Sequence, residues 1–224
     1  MIATGYPYDD GKNTEVIDVE DANFRCTNVE QFPVKLYAAS GGLIDGQTPY
    51  ICGGSNWAIS KHCYQLSKTG SWAKDQTATL TTAREYAGYG SVVMDNHLVL
   101  TGGLGDENGN KLTSIEMLST NAKARTLSVE LPTGIRSHCQ VPWDSEKFLV
   151  IGGSGSGDRK ETYFINVKTN QLTNGPSLNI PRRSHACGQL DIDGTSYIIV
   201  AGGEQQHTEF LDKNNVGLGW QLDW

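Results

Sequence analysis

The sequence predicts an all-β protein assembled from repeated four-stranded sheets, and three observations carry that prediction. First, an apolar run ending in a glycine pair recurs. YICGG ends on Gly53-Gly54, LVLTGG on Gly102-Gly103, FLVIGG on Gly152-Gly153 and YIIVAGG on Gly202-Gly203. The first glycines of these pairs are 49, 50 and 50 residues apart, and a fainter copy, MIATG, puts Thr4-Gly5 a further 49 residues upstream. A fixed period near 50 marks a repeat architecture. Second, each period holds short apolar runs separated by Gly/Asp/Asn-rich turns, the pattern of strands joined by hairpins. Third, no stretch carries a helical period of useful length.

Within each repeat the elements follow in a constant order. A glycine pair closes one strand, because glycine permits the tight turn or close backbone approach that follows. Polar loops come next, at 7–13, 55–61, 104–111, 154–160 and 204–207. A second apolar strand follows: TEVIDV (14–19), HCYQLS (62–67), SIEMLS (114–119), TYFINV (162–167) and TEFLD (208–212). A weaker outer strand is expected near Phe24, Trp72, Leu127, Leu172 and Trp220, with fewer apolar residues as suits an exposed sheet edge. Ahead of each full glycine-pair strand lies a small-residue strand, at 36–46, 85–96, 137–146 and 184–194. Small side chains suit an innermost strand, where sheets converge on an axis. Four strands per repeat, arranged radially, make a β-propeller.

The whole chain resembles the kelch-repeat propellers of the galactose-oxidase-central-domain type. The resemblance rests on the four hydrophobic Gly-Gly strands, a later strand similar to V-E-V-Y-D, and an opening similar to Arg-x-x-His. Thr4 replaces the first glycine of the first copy, and the tryptophan position holds Trp only at Trp72 and Trp220, with Cys26 near it in the first repeat. A single domain over 1–224 is expected, with blades at about 35–80, 84–131, 136–180 and 183–224. Residues 1–34 supply three strands and lack an innermost one. The expectation is therefore four complete blades plus a partial one, either as an open five-bladed chain or as a fragment of a six-bladed ring short of about 70 residues.

With 224 residues, 38% hydrophobic and 19% charged, the chain has ample material for a core. A net charge of −7 argues against a nucleic-acid partner. No apolar run approaches the roughly 18 residues of a membrane span, so no membrane insertion is expected. The first residues lack the basic and apolar regions of a signal peptide. Five cysteines, at 26, 52, 63, 139 and 187, form no CxxC, which argues against a structural zinc site. Cys52 and Cys63 flank one hairpin and face each other across it in an oxidising compartment, or stay as buried thiols in the cytosol. Cys26 is left without an obvious mate. A bridge favours an extracellular protein over a cytoplasmic one, although no N-x-[ST] sequon is present.

Two groups of residues stand out as candidate sites. Openings of the innermost strands pair a basic residue with a ring two positions on: Lys35 with Tyr37, Arg84 with Tyr86, Arg136 with His138 and Arg183 with His185. Gathered at one channel mouth, they would form a basic, aromatic ring for an anionic ligand. Their recurrence in every blade favours a scaffold instead, in which Glu15, Glu116 and Glu209 are buried or half-buried partners of those arginines. Polar loops after the glycine pairs form the second group, since they differ between blades, with Tyr8 and Trp57 as binding anchors. Asp9-Asp10 and Asp106-Glu107 lack the alternating acidic spacing of a calcium loop and read as turn residues.

The expected function is a non-catalytic binding module for a protein or glycan, with no cofactor. Two alternatives differ in class. One is a carbohydrate-active or copper-radical enzyme using channel His, Tyr and Cys139, against which adjacent strand residues point to opposite faces. The other is an assembly protein that self-associates through the open seam.

Overall fold

The structure, a computed structural model, describes residues 2–4, 12, 14–17, 26–203 and 207–222. A three-stranded sheet comes first, made of β1 (Ile2–Thr4), β2 (Thr14–Ile17) and β3 (Cys26–Asn28). The first full blade runs through β4 (Tyr37–Ile44), β5 (Thr48–Asn56), β7 (His62–Leu66) and β8 (Trp72–Thr79), with the two-residue β6 (Ala58–Ile59) folded back on β5. The second consists of β9 (Val93–Met94), β10 (His97–Thr101), β11 (Ile115–Leu118) and β12 (Arg125–Thr126). β13 (Cys139–Pro142), β14 (Lys147–Ile151), β15 (Thr162–Asn166) and β16 (Gln171–Asn174) make the third. The fourth is β17 (His185–Ile192), β18 (Thr195–Gly202), β19 (Glu209–Asp212) and β20 (Gln221–Leu222). All four sheets are antiparallel meanders in chain order, as the repeat predicts. The innermost strand of the second blade is much shorter than its sequence segment, since only Val93 and Met94 join the ladder.

Turn chemistry sets these hairpins. Asp95 and Asn96 (φ 50° and 58°) link β9 to β10, and Asp193-Gly194 (φ 48° and 78°) links β17 to β18. Two consecutive left-handed residues make the turn whose twist matches antiparallel strands, and Asn, Asp and Gly adopt it at least cost.

Cores lie between blades, so glycine-pair strands bury both faces and read as unbroken apolar runs. Val99 of β10 packs toward Phe148 and Val150 of the third blade, while Leu98 and Leu100 pack toward Tyr50 and Cys52 of the first. Leu149 and Ile151 meet Ile198 and Val200 of the fourth. Phe32, after β3, stacks edge-on against Trp72 with ring centroids 4.9 Å apart and covers the far face of the first blade.

Blades are joined around the axis by a backbone ladder. The amides of Tyr86, Ser137 and Ser184 donate to the carbonyls of Ala38, Tyr86 and Ser137 respectively, at 2.9, 2.9 and 2.8 Å. All four residues are left-handed, with φ between 51° and 54°. This shared conformation fixes the phase of the repeat.

Two disulfides close the structure. Cys52–Cys63 joins directly opposed residues of β5 and β7, as the sequence anticipates. Cys139–Cys187, which the sequence reading does not pair, ties the innermost strand of the third blade to that of the fourth across 48 residues.

Candidate functional site

The left-handed residues correct the alignment of the strand openings. Tyr86 occupies the place of Ala38, Ser137 and Ser184, so Arg84 corresponds to Leu36, Ile135 and Arg182, not to Arg136 and Arg183. The second blade is one residue out of step with the motif read from sequence. The cause is local: both Arg84-Glu-Tyr86 and Arg183-Ser-His185 satisfy "basic, spacer, ring", and only backbone conformation distinguishes their phases.

With the phase corrected, each position has its own role. Arg84 and Arg182 are completely buried and pair with Glu116 and Glu209 at 2.5 and 2.9 Å. Glu209 therefore serves Arg182, and Arg183 instead reaches Asp158 in the neighbouring loop at 2.8 Å. Arg84 also donates to the Gly102 carbonyl at 2.8 Å, and Glu116 accepts the amides of Thr81 and Thr82 at 2.6 and 3.0 Å. Glu209 likewise accepts the Asn179 and Ile180 amides at 2.7 and 3.3 Å. The ion pair thus clamps the chain arriving from the previous blade. Strand register places Tyr64 and Tyr163 where Glu116 and Glu209 stand. The blades with tyrosine carry Leu36 or Ile135 opposite it. Each blade holds either Arg with Glu or an aliphatic residue with Tyr.

Next in line come Tyr37, Glu85, Arg136 and Arg183, one from each blade. At this position of the four blades the charges are mixed, not uniformly basic. Arg136 stacks over the Tyr86 ring at 5.5 Å. Burial raises the Glu85 carboxyl above the usual carboxylate range, with Ser55 and Arg136 pulling it back. Lys35 is exposed and Tyr37 half-buried.

His138 and His185 are 0% and 2% exposed, so neither offers its ring to a bulky ligand. Both are wedged against glycine pairs: a Cβ on Gly102 would come within 3.3 Å of the His138 Cε1, and one on Gly152 within 3.1 Å of the His185 Cε1. Burial, then His185 and Arg84, depresses the His138 pKa to about 3. Burial and Arg182 depress that of His185 to about 4, with the Ile151 backbone opposing. Both stay neutral at ordinary pH. Cys139 sits in its disulfide and has no thiol to link to a tyrosine.

A cavity of about 330 Å³ is lined by Tyr89, Gly90, Ser184, His185, Ala186 and the Cys139–Cys187 bridge. The bridge could have been suspected from sequence, since its cysteines lie nearly one repeat apart within innermost-strand segments.

The loops after the glycine pairs share a face with the blade connections, because the Arg84 amide donates to Ser60 and the Arg182 amide to Arg159, each at 3.0 Å. On that face Trp57 is 92% exposed at the tip of the β5–β6 turn with φ 66°. It is not a lid over its own hairpin. Asp106 accepts from the Asn108 amide and from the backbone and side chain of Asn110, at 3.0, 3.1 and 2.6 Å, which makes it a turn residue as expected. Among the described residues no group of three His, Cys, Asp or Glu side chains is placed to hold a metal ion. Tyr6, Tyr8, Asp9, Asp10, Phe24, Gln205 and Gln206 lie outside the described residues.

Blades of this build define a kelch-repeat β-propeller fold. No family model matches the sequence, and no curated protein sequence matches it either. The fold is similar to 173 solved chains. One is YjhT, a kelch-repeat β-propeller protein, with a TM-score of 0.72 over 89% of this chain and 74% of that one, at 15% identity. Likeness at that identity is one of fold. The two disulfides point to an oxidising environment, and no helix among the described residues is long and apolar enough to cross a membrane.

Proposed function

We propose that this chain is a non-catalytic binding module that presents unlike loops on one propeller face to a protein or glycan partner outside the cell. Trp57 carries the reading. A bulky residue with positive φ costs roughly 1–3 kcal/mol and persists where the surroundings impose it. Here that backbone lifts an indole into solvent, where it contributes nothing to a core. Exposed tryptophan on a rigid turn is the kind of anchor on which interfaces concentrate their energy. The buried Arg–Glu pairs and neutral histidines belong on this reading to the scaffold, which leaves recognition to the non-repeating loops. The three-stranded sheet is read as a fifth blade short of its innermost strand, within a five- or six-bladed ring.

The test is a comparison of the wild-type chain with Trp57→Ser on glycan arrays and in capture of extracellular proteins. The variant should melt at the wild-type temperature and lose the captured ligand. Undiminished capture by the variant would remove Trp57 from the site and the reading with it.

A further inference from the structure

We propose that the Cys139–Cys187 bridge is a site of thiol–disulfide exchange, opened by a low-molecular-weight thiol that enters the cavity beside it. Cys52–Cys63 stays closed under the same conditions.

Access distinguishes the two bridges. The cavity of about 330 Å³ is lined by both Cys139 and Cys187, and its size suits a small molecule, since ligand pockets begin at about 300 Å³. Gly90, Ser184 and Ala186, which also line it, are exposed, and Cys187 is itself half-buried. Gly90 brings no side chain over the bridge, where a Cβ would lie only 3.6 Å from the Cys139 sulfur. Cys52 and Cys63 are 1% and 0% exposed, enclosed with Tyr50, Leu98, Leu100 and Leu118 in the core between the first two blades. Exchange needs a thiolate to reach a sulfur, and exposed bridges are the labile ones.

Exposure also selects the sulfur that is attacked. Cys187 is half-buried, whereas Cys139 is 1% exposed. The incoming thiolate attacks the Cys187 sulfur, forming a new S–S bond as the Cys139–Cys187 bond breaks. Cys139 leaves with the electron pair and takes a proton from water. A second thiol then attacks the mixed disulfide, which frees Cys187 as a thiol and carries off the small molecule as its own disulfide. The bridge has gained two electrons and two protons, supplied by two molecules of thiol.

Position decides what opening the bridge does. It joins β13 to β17, and other contacts hold the same two blades together. The Ser184 amide donates to the Ser137 carbonyl at 2.8 Å, and Leu149 and Ile151 pack with Ile198 and Val200. Those contacts keep the blades docked after reduction, so the chain stays folded but loses a covalent tie between innermost strands. Arg183, at the opening of β17, reaches Asp158 at 2.8 Å in the loop that follows the third glycine pair. Loosening of β17 therefore extends to the face that carries the loops.

Reduced glutathione serves as the probe. The full chain with both bridges formed is incubated with it under native conditions, quenched by alkylation and read cysteine by cysteine by peptide mass spectrometry. Cys139–Cys187 should open at least about tenfold faster than Cys52–Cys63, with the glutathione adduct on Cys187. The reduced chain should keep its far-ultraviolet circular dichroism, while amide exchange rises in β13, β17 and the 154–160 loop but not in β10. Ala186→Phe, an exposed position lining the cavity, should slow opening of this bridge about tenfold and leave Cys52–Cys63 unchanged. Equal rates for the two bridges, or opening of Cys139–Cys187 no faster than global unfolding, overturns the inference. Undiminished opening in Ala186→Phe would remove the cavity as the route, and an adduct on Cys139 would overturn the order of attack.

Discussion

Glu116→Gln leaves a buried guanidinium without its counter-charge, and the structure indicates how much that costs. Glu116 and Arg84 are both wholly buried, and three donors converge on the carboxylate: the guanidinium at 2.5 Å, the Thr81 amide at 2.6 Å and the Thr82 amide at 3.0 Å. A glutamine must point its NH2 at one of these donors, so the variant loses a charge and gains a conflict. Breaking a buried pair in this way costs about 3–5 kcal/mol. For a chain of this size that lowers the melting temperature by roughly 6–20 °C. The double variant Arg84→Leu with Glu116→Tyr should behave differently. It installs the Leu36–Tyr64 combination that the first blade already buries at the same register. Exchange of a buried ion pair for well-packed apolar groups is often close to neutral, so the double variant should lose no more than about 2 kcal/mol. Urea unfolding of wild type, Arg84→Leu, Glu116→Tyr and the double variant, with disulfides intact, gives the coupling energy directly. A double variant as unstable as the two single losses combined would show that the positions are not interchangeable units, and would refute the reasoning.

Three further outcomes follow from the same geometry. His138 and His185 have folded pKa values of about 3 and about 4, below the ordinary histidine value, so the unfolded chain binds more protons as acid is added. Their contribution is complete above about pH 6.5 and falls toward pH 4, by about 2 kcal/mol for each histidine at pH 5. A denaturation midpoint unchanged between pH 7 and pH 5 would contradict their burial as neutral rings. Cys187→Ser should cost about 4 kcal/mol by releasing a 48-residue loop, more than the about 3 kcal/mol expected for Cys63→Ser with its 11-residue loop; thermal melts that reverse this order would show that loop length is not what matters. Gly102→Ala and Gly202→Ala share the strain of positive φ, but only the first drives a Cβ to 2.6 Å from the Ile135 carbonyl. Gly102→Ala should therefore be the more damaging by melting temperature, and equal losses would mean that blade contact adds nothing at Gly102.

Much of this fold can be read from the chain because strands and turns are local. Apolar runs, glycine pairs and Asp/Asn/Gly turns locate the strands of all four blades in order, and the 50-residue period states that they repeat. Cys52 and Cys63 were legible for the same reason, since they oppose each other within one hairpin. Site residues were less accessible. From sequence alone Lys35, Arg84, Arg136 and Arg183 align as one basic set, but a one-residue phase difference puts Arg84 in the core and gives its place in that set to Glu85. That phase depends on which residue turns left-handed, and the ladder between neighbouring blades decides it. Cys139 and Cys187 meet only because adjacent innermost strands run side by side.

By itself, then, the sequence determined the all-β class, the repeat, the strand order and the glutamates that need a cationic partner. Tertiary structure alone decided which arginine each glutamate takes, that both histidines are buried, and that Trp57 stands in solvent. The physical reason is range. Strand and turn preferences act over a few residues, whereas burial and pairing arise between blades some 50 residues apart in the chain, where only the packed fold brings the partners together.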